Sequence, residues 1–240
     1  MNKCIDTIEN HVSIRKYRPD PIPEEHLQLI MRAAQRAPTD AALHLWTAIR
    51  VSDREARKKI AEAIRQHHVY EAAEFFVFVA DLHRLRKLLQ YRGEDLGKVD
   101  FSLLLFSAID AGLAAENMAI AAESLGYGIC FIGAIMNAPE LIIELLGLPE
   151  KTFPLFGLVI GVPDEKPSKR PRIPLEYLVH ENHYRDYDNH DLQRIYEAMN
   201  PITRRGDYLR LIKRYAGPGG YFEMRNELIR ELARKMGFNV

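Results

Sequence analysis

The run Phe101–Ala122 constrains this chain most, because it is apolar and long enough to cross a bilayer. It carries Asp110, Glu116 and Asn117. Each acid held at mid-bilayer costs roughly 2.5–3.5 kcal/mol on insertion scales, so the expected form is a helix buried in a globular protein. Such a helix needs other layers to cover it. Its small residues, Ala111, Gly112, Ala114, Ala115, Ala119, Ala121 and Ala122, let helix backbones approach closely. That suits a central packing helix, with or without a subunit contact. The plain helix propensity of alanine accounts for the composition equally well. Gly126 is the expected stop.

The covering layers are legible elsewhere in the sequence. Segment 24–37 sets Leu27, Ile30, Met31 and Ala34 at helical spacing ahead of Pro38. Trp46–Val51 alternates as a strand does. Ser52-Asp53-Arg54-Glu55 reads as a capping box with Ser52 as the cap, and Ala56, Ile60, Ala63 and Ile64 mark the stripe of the helix it starts. Phe75–Ala80 is a continuous apolar run, the mark of a strand covered on both faces. Ile129–Ile132 and Phe156–Ile160 read as further strands around a helix over Glu140–Leu146, closed by Gly147 and Pro149. Taken alone, this alternation suggests parallel βαβ units. Pro163–Pro174 is a surface loop, and a more polar helical tail beyond residue 186 is broken at Gly217-Pro218-Gly219-Gly220.

With 240 residues, 47% of them apolar, the chain can bury one substantial core. Lys plus Arg balance Asp plus Glu at 33 each, which removes any whole-molecule pull toward nucleic acid or anionic membrane. Cys4 and Cys130 form no motif, and residues 1–12 contain no apolar signal core. The expected compartment is therefore the reducing cytoplasm.

Phosphate-binding side chains concentrate in His11-Val12-Ser13-Ile14-Arg15-Lys16-Tyr17. Arginine offers a fork matched to phosphate oxygens, serine a hydroxyl and lysine a point charge. Arg170 and Arg172 lie in the Pro-rich loop Lys169–Pro174, whose extended backbone can aim both at one anion. Each cluster, read alone, is equally an exposed solvated surface. The stretch Arg204–Lys235, with nine basic and four acidic residues, suits a nicotinamide cofactor's phosphates, a membrane surface, RNA or a solvated arm. No metal site is expected: His180-Glu181-Asn182-His183 lacks the four-residue histidine spacing of HExxH, and His67 and His68 diverge. Gly126-Tyr127-Gly128 follows a helix, the reverse of the dinucleotide-binding order. No catalytic nucleophile is visible.

Read in order, these segments resemble the nitroreductase superfamily, in its NADPH-preferring nitroreductase and FMN reductase branch. Ser13-Ile14-Arg15 fits R-S-I-R, Asp20-Pro21-Ile22 fits D-x-P-I, and Arg36-Ala37-Pro38-Thr39 with Trp46 resembles A-P-S/T…Q-P-W. His68-Val69, Ala72-Ala73-Glu74-Phe75 and Ala80-Asp81 follow. Ala121-Ala122-Glu123-Ser124-Leu125-Gly126-Tyr127-Gly128 with Phe131-Ile132-Gly133 is similar to A-A-x-S-L-G-x-G…I-G. Leu155-Phe156-Gly157, Gly161-Val162-Pro163, Arg170-Pro171-Arg172 and Val179-His180-Glu181-Asn182 complete the series. The chain departs from the pattern at Val12, normally arginine, at Asp40-Ala41-Ala42, normally Ser/Asn-rich, and at His44, normally glutamine.

The resemblance implies an α+β, three-layer fold with a central mixed, mostly antiparallel sheet flanked by helices, in a domain-swapped homodimer. Residues 1–185 would form the FMN-binding core and 186–240 a helical arm packing on the dimer. FMN would be gripped at its phosphate by His11, Ser13, Arg170 and Arg172. Arg15 would lie by the pyrimidine edge, stabilising charge near N1, and Gln66 by the ring's polar atoms. Thr39, Phe131, Ile132, Gly133 and Ala134 would complete the cofactor site, with no catalytic side chain beyond it. Arg204 and Arg205 would meet the NAD(P)H phosphate. The implied activity is electron transfer from NADPH or NADH through FMN to nitroaromatic, quinone or free-flavin acceptors. The rival readings are a dehalogenating or ring-cleaving relative and an FMN sensor that never turns over.

Overall fold

Phe75–Ala80 is the middle of β2 (Glu74–Asp81), and all eight of its residues are buried, as expected of a strand covered on both sides. Around it lie β1 (Trp46–Arg50), β3 (Gly128–Ile132) and β4 (Thr152–Gly161), in the order β1-β2-β4-β3. Every pairing is antiparallel, as in Trp46 with Ala80, Phe76 with Leu158, and Ile132 with Gly157. The parallel βαβ expectation is therefore corrected, and no parallel component of a mixed sheet occurs among the described residues. Burial periodicity reports which faces a strand hides and carries no information about its direction. The computed structural model describes residues 2–98, 101–203 and 206–240.

The helices are α1 (Lys3–Glu9), α2 (Glu24–Gln35), α3 (Arg54–Ala63), α4 (His68–Glu71), α5 (His83–Gln90), α6 (Phe101–Ser124), α7 (Pro139–Leu146), α8 (Asn189–Met199), α9 (Tyr208–Ala216) and α10 (Tyr221–Lys235). One sheet face, through Phe76, Phe78, Ile129, Leu158 and Ile160, packs on Leu27, Ile30 and Ala34 of α2 and Ala111, Ala115 and Met118 of α6. The opposite face, through Phe75, Val77, Cys130 and Val159, packs on Ile60 and Ile64 from the α3 region and Ile142 of α7. The result is helix, sheet and helix in three layers, the arrangement that hides both faces of a hydrophobic sheet.

By length and composition α6 could cross a membrane, yet its small residues are the buried ones. Ala111, Ala114, Ala115, Ala119 and Ala122 face the core, close enough to α2 for Asn117 Nδ2 to donate to Ala33 O at 3.2 Å. Asp110 is 1% exposed and fully employed. Its carboxylate accepts from Asp40 N at 3.0 Å, Leu45 N at 3.1 Å and the Thr39 hydroxyl.

Most boundaries match expectation within a few residues. The cap of α3 is corrected: Asp53, and not Ser52, accepts from Glu55 N at 2.8 Å and Ala56 N at 3.3 Å. β4 starts at Thr152, four positions before the expected strand, because Pro154 hides the alternation there. Gly147 ends α7 in the left-handed conformation, with φ 59°.

The chain divides into two units, Met1–Pro167 with Ile229–Val240, and Ser168–Leu228. That division does not coincide with a break after residue 185. Leu232, Ala233, Met236 and Phe238 join Leu45, Leu82 and Phe153 in a third apolar cluster, so the chain's end belongs to the first unit. Within the second unit, Asp188 and Asp191 form the capping box of α8, and Arg185 Nη1 donates to Asp191 at 2.6 Å. His190 joins them in a compact His/Asp group, and the helix cap accounts for both carboxylates.

Candidate functional site

Segment 11–18 is pinned to β3 and the end of β4. Ile14 N donates to Ile129 O at 2.8 Å, Arg18 N to Val162 O at 2.9 Å, and Tyr17 bridges Pro163. Two glycines make this approach possible. A Cβ on Gly128 would stand 2.6 Å from Ile14 Cγ1, and one on Gly161 would stand 2.7 Å from Tyr17 Cδ1. The Gly126-Tyr127-Gly128 pattern is thus a packing requirement of this segment. Tyr17 is buried, donates its hydroxyl to Ile14 O at 2.7 Å, and burial pushes its pKa up. Val12 packs on the apolar core of this face, which is what the chain uses that position for in place of an arginine.

With the backbone fixed, the polar side chains have defined places. His11 Nδ1 lies 2.8 Å from Glu123 Oε1 at the end of α6. Glu165 Oε1 accepts from both Arg15 N, at 2.5 Å, and Lys16 N, at 3.1 Å. The Arg15 side chain is exposed, with Nη1 3.5 Å from Ser13 O. Arg15 and Lys16 line a cleft of about 600 Å³ with Gln66, His67, His68 and Asp164. Arg57 of α3, which is 3% exposed, donates to Ala72 O and Ala73 O, the two residues that lead from α4 into β2. Burial lowers the Arg57 pKa to about 10.

His68 is 7% exposed, and its Nε2 has no hydrogen-bond partner. An unpartnered buried nitrogen is uncommon and calls for an explanation. Burial foremost, and then the nearby Arg15 charge, lower its pKa, which favours the neutral ring.

Of the expected cofactor-binding residues, Arg15 and Gln66 line this cleft, and His11, Ser13, Thr39, residues 131–134, Arg170 and Arg172 do not. The Thr39 hydroxyl donates to Asp110 and accepts from His44 N at 2.9 Å, so it is committed to its own loop. That loop holds Ala41, Ala42 and His44 at φ of 45°, 59° and 51°. Residues 131–134 form the turn out of β3: Phe131 is exposed and packs beside Phe156, while the Ile132 side chain is in the core. Gly133 is exposed, and a Cβ there would meet no protein atom within 4 Å. Ala134 packs on the core edge.

Arg170 and Arg172 belong to the second unit, where both are exposed and Arg172 Nη1 donates to Pro171 O at 3.2 Å. Arg204 and Arg205 lie outside the described residues. Sequence reasoning missed Glu123, Glu165 and the unpartnered buried nitrogen of His68. Glu123 and Glu165 meet their partners 112 and 150 positions away, and no local spacing reports that.

Residues 8–162 match the model of the nitroreductase family. The chain is 40% identical over 187 residues to the FMN reductase (NADPH) of Bacillus subtilis, covering 77% of this chain and 75% of that protein. Nitroreductase A from Vibrio parahaemolyticus superposes with a TM-score of 0.90 at 33% identity, over 99% of this chain and 98% of its own. The NADPH:FMN oxidoreductase of Vibrio harveyi, in complex with NAD+, superposes at 0.89 with 33% identity, over 99% of both chains.

Proposed function

This chain belongs to the nitroreductase family and is a flavin-dependent NAD(P)H oxidoreductase; from that premise we propose that its FMN is held at the Arg15–Gln66 cleft. The observation that carries the proposal is the cleft's set of uncommitted polar groups. An exposed guanidinium, Arg15, and a half-buried amide, Gln66, line it together with the buried ring of His68. These groups suit the polar edge of a flavin, which needs both donors and acceptors. The open space over Gly133 admits a planar ring without a side-chain clash.

FMN, when bound, supplies two-electron hydride chemistry, so the protein needs no nucleophile of its own. The work left to the residues is to bind, orient and balance charge. Arg15 sets a positive charge where the reduced cofactor is more negative. At 4 Å and an effective dielectric near 20 such a pair attracts by about 4 kcal/mol, an upper scale for an exposed arginine. His11 and Ser13 are the phosphate ligands proposed from the first unit, Arg170 and Arg172 are anion-binding candidates within the second, and Arg204 and Arg205 are the proposed contacts for the NAD(P)H phosphate. Thr39 acts by fixing the 39–45 loop. Residues 131–134 offer backbone amides to the ring. Flavin binding is assigned to residues 1–185, and the arm 186–240 to the dimer.

The protein works as a homodimer in the cytoplasm. Phe101, Leu105, Ile109 and Leu113 recur every four residues along α6 and are 61%, 46%, 48% and 41% exposed. A contiguous apolar stripe of this kind marks a protein contact. In sedimentation, Ile109→Asp shifts the protein toward monomer, whereas an unshifted dimer removes α6 from the interface. No disulfide links Cys4, which is exposed, to Cys130, buried in β3.

The test of function is direct. The purified protein is yellow, and anaerobic stopped-flow mixing with NADPH or NADH bleaches the flavin in a fast phase. Bound flavin that neither nucleotide bleaches would overturn the oxidoreductase reading of this site in favour of a sensor.

A further inference from the structure

Segments 14–18 and 161–165 run side by side. Arg18 N donates to Val162 O at 2.9 Å, Tyr17 bridges Pro163, and Asp164 N donates to Lys16 O at 2.9 Å. Beyond that point a side chain takes over from the main chain. Oε1 of the half-buried Glu165 accepts from Arg15 N at 2.5 Å and from Lys16 N at 3.1 Å. Two successive amides aimed at one oxygen form the kind of main-chain concavity that holds an anion, and here the chain supplies the anion itself. On either side of the two amides the backbone is fixed by burial, since Ile14 is 5% and Tyr17 9% exposed. Arg15 and Lys16 between them are exposed, so no apolar packing holds that stretch. Their side chains are nevertheless the ones that line the proposed cofactor cleft, with Gln66 and His68.

We propose that Glu165 is a positioning residue of the flavin cleft: its carboxylate holds the Arg15 and Lys16 amides and so presets the backbone from which both side chains reach the cofactor. The proposal rests on the placing of FMN at that cleft. A site ordered before binding spares its ligand the cost of ordering side chains. Without Glu165 the 15–16 stretch is tied at its ends and loose between them, and FMN must order two long side chains as it binds. The carboxylate is also near enough to the cleft to act on His68, whose pKa is lowered first by burial and then by Arg15, and raised by Glu165.

The experiment is titration of FMN into the full-length apoprotein, followed by flavin fluorescence. Glu165→Ala is expected to weaken FMN binding by about tenfold, the scale of ordering two long side chains on association. Glu165→Gln keeps an oxygen for the two amides, and a neutral acceptor has roughly half the strength of a charged one, so the loss shrinks to about threefold. Because Glu165 acts through the residues it places, removing it from an Arg15→Ala/Lys16→Ala chain should change FMN binding by less than about twofold. A tenfold loss in that chain as well would make Glu165 a general prop of the fold and overturn the proposal. So would a Glu165→Ala protein that binds FMN like the wild type while Arg15→Ala/Lys16→Ala does not. An Arg15→Ala/Lys16→Ala protein with wild-type FMN affinity puts the cofactor elsewhere, and the cleft reading itself then fails. If Glu165→Ala does not fold, amide exchange in the FMN-free wild type decides. Arg15 and Lys16 amides already protected there support a preset cleft, and amides protected only after FMN is added overturn it.

Discussion

Asp110→Ala removes the one acceptor that serves both ends of the 39–45 loop. Oδ1 takes Asp40 N, while Oδ2 takes Leu45 N and the Thr39 hydroxyl. Leu45 is fully buried, so water cannot replace the bond to its amide. Leaving a buried donor unsatisfied costs about 1–3 kcal/mol, and two backbone donors are orphaned, one of them in the core. The threonine hydroxyl can rotate to another acceptor. Removing the buried carboxylate returns part of its desolvation cost, which places the net loss near 4 kcal/mol. With a urea slope near 3 kcal/mol per molar, the unfolding midpoint falls by about 1.3 M. Asp110→Asn is the discriminating variant. It keeps the shape and one oxygen, but its NH2 faces donors whichever way it is turned, for a loss of about 2 kcal/mol. Hydrogen exchange supplies the local readout, because the Leu45 amide should lose protection by a factor on the order of a thousand at the 4 kcal/mol scale. If Asp110→Asn unfolds within 0.2 M urea of wild type, roughly half a kcal/mol on the same slope, the carboxylate is not what holds this loop.

Three further perturbations have defined outcomes. Gly128→Ala pushes Ile14 away from β3, at a cost of about 1–3 kcal/mol and with loss of bound flavin; Ile14→Ala in the same chain should recover part of both, and no recovery would place the clash elsewhere. Arg15→Ala should lower the two-electron potential of the bound flavin by about 30 mV, equivalent to about 1.4 kcal/mol; an unchanged potential with FMN still bound removes Arg15 from charge stabilisation. His68 has a folded pKa below its ordinary 6.5, so the unfolded chain binds the proton first as pH falls. Stability carried by the neutral ring is therefore whole above about pH 6.5 and is lost below it. His68→Phe should flatten the decline between pH 7 and 5 in urea titrations, and an unflattened decline assigns it to other groups.

Much of the fold is visible in the sequence because it depends on local chemistry. The α6 run, the doubly buried β2, the Gly147 stop and the Gly217–Gly220 break are each fixed by side chains within one or two turns of the feature. The α5 helix leaves little trace in the sequence: His83–Gln90 presents no fully buried residue, so its periodicity has little to anchor on. Asp53 took the capping role from Ser52 because either oxygen can cap a helix and composition does not choose between them. At the site, the family resemblance pointed to Arg15 and Gln66, which share a cleft. It did not reveal that Thr39 spends its hydroxyl on Asp110, or that Glu165 holds the amides of Arg15 and Lys16.

The sequence by itself determined which surfaces must be hidden and where the chain can turn, since hydrophobic spacing, glycine and proline act over a few residues. Strand direction, the pairing of His11 with Glu123 across 112 positions, and the unpartnered buried nitrogen of His68 were decided only by the tertiary structure. Those are properties of groups that meet after the chain has folded back on itself. Their free energies come from the loss of solvent and the nearness of a partner, and neither is encoded in residue type or spacing.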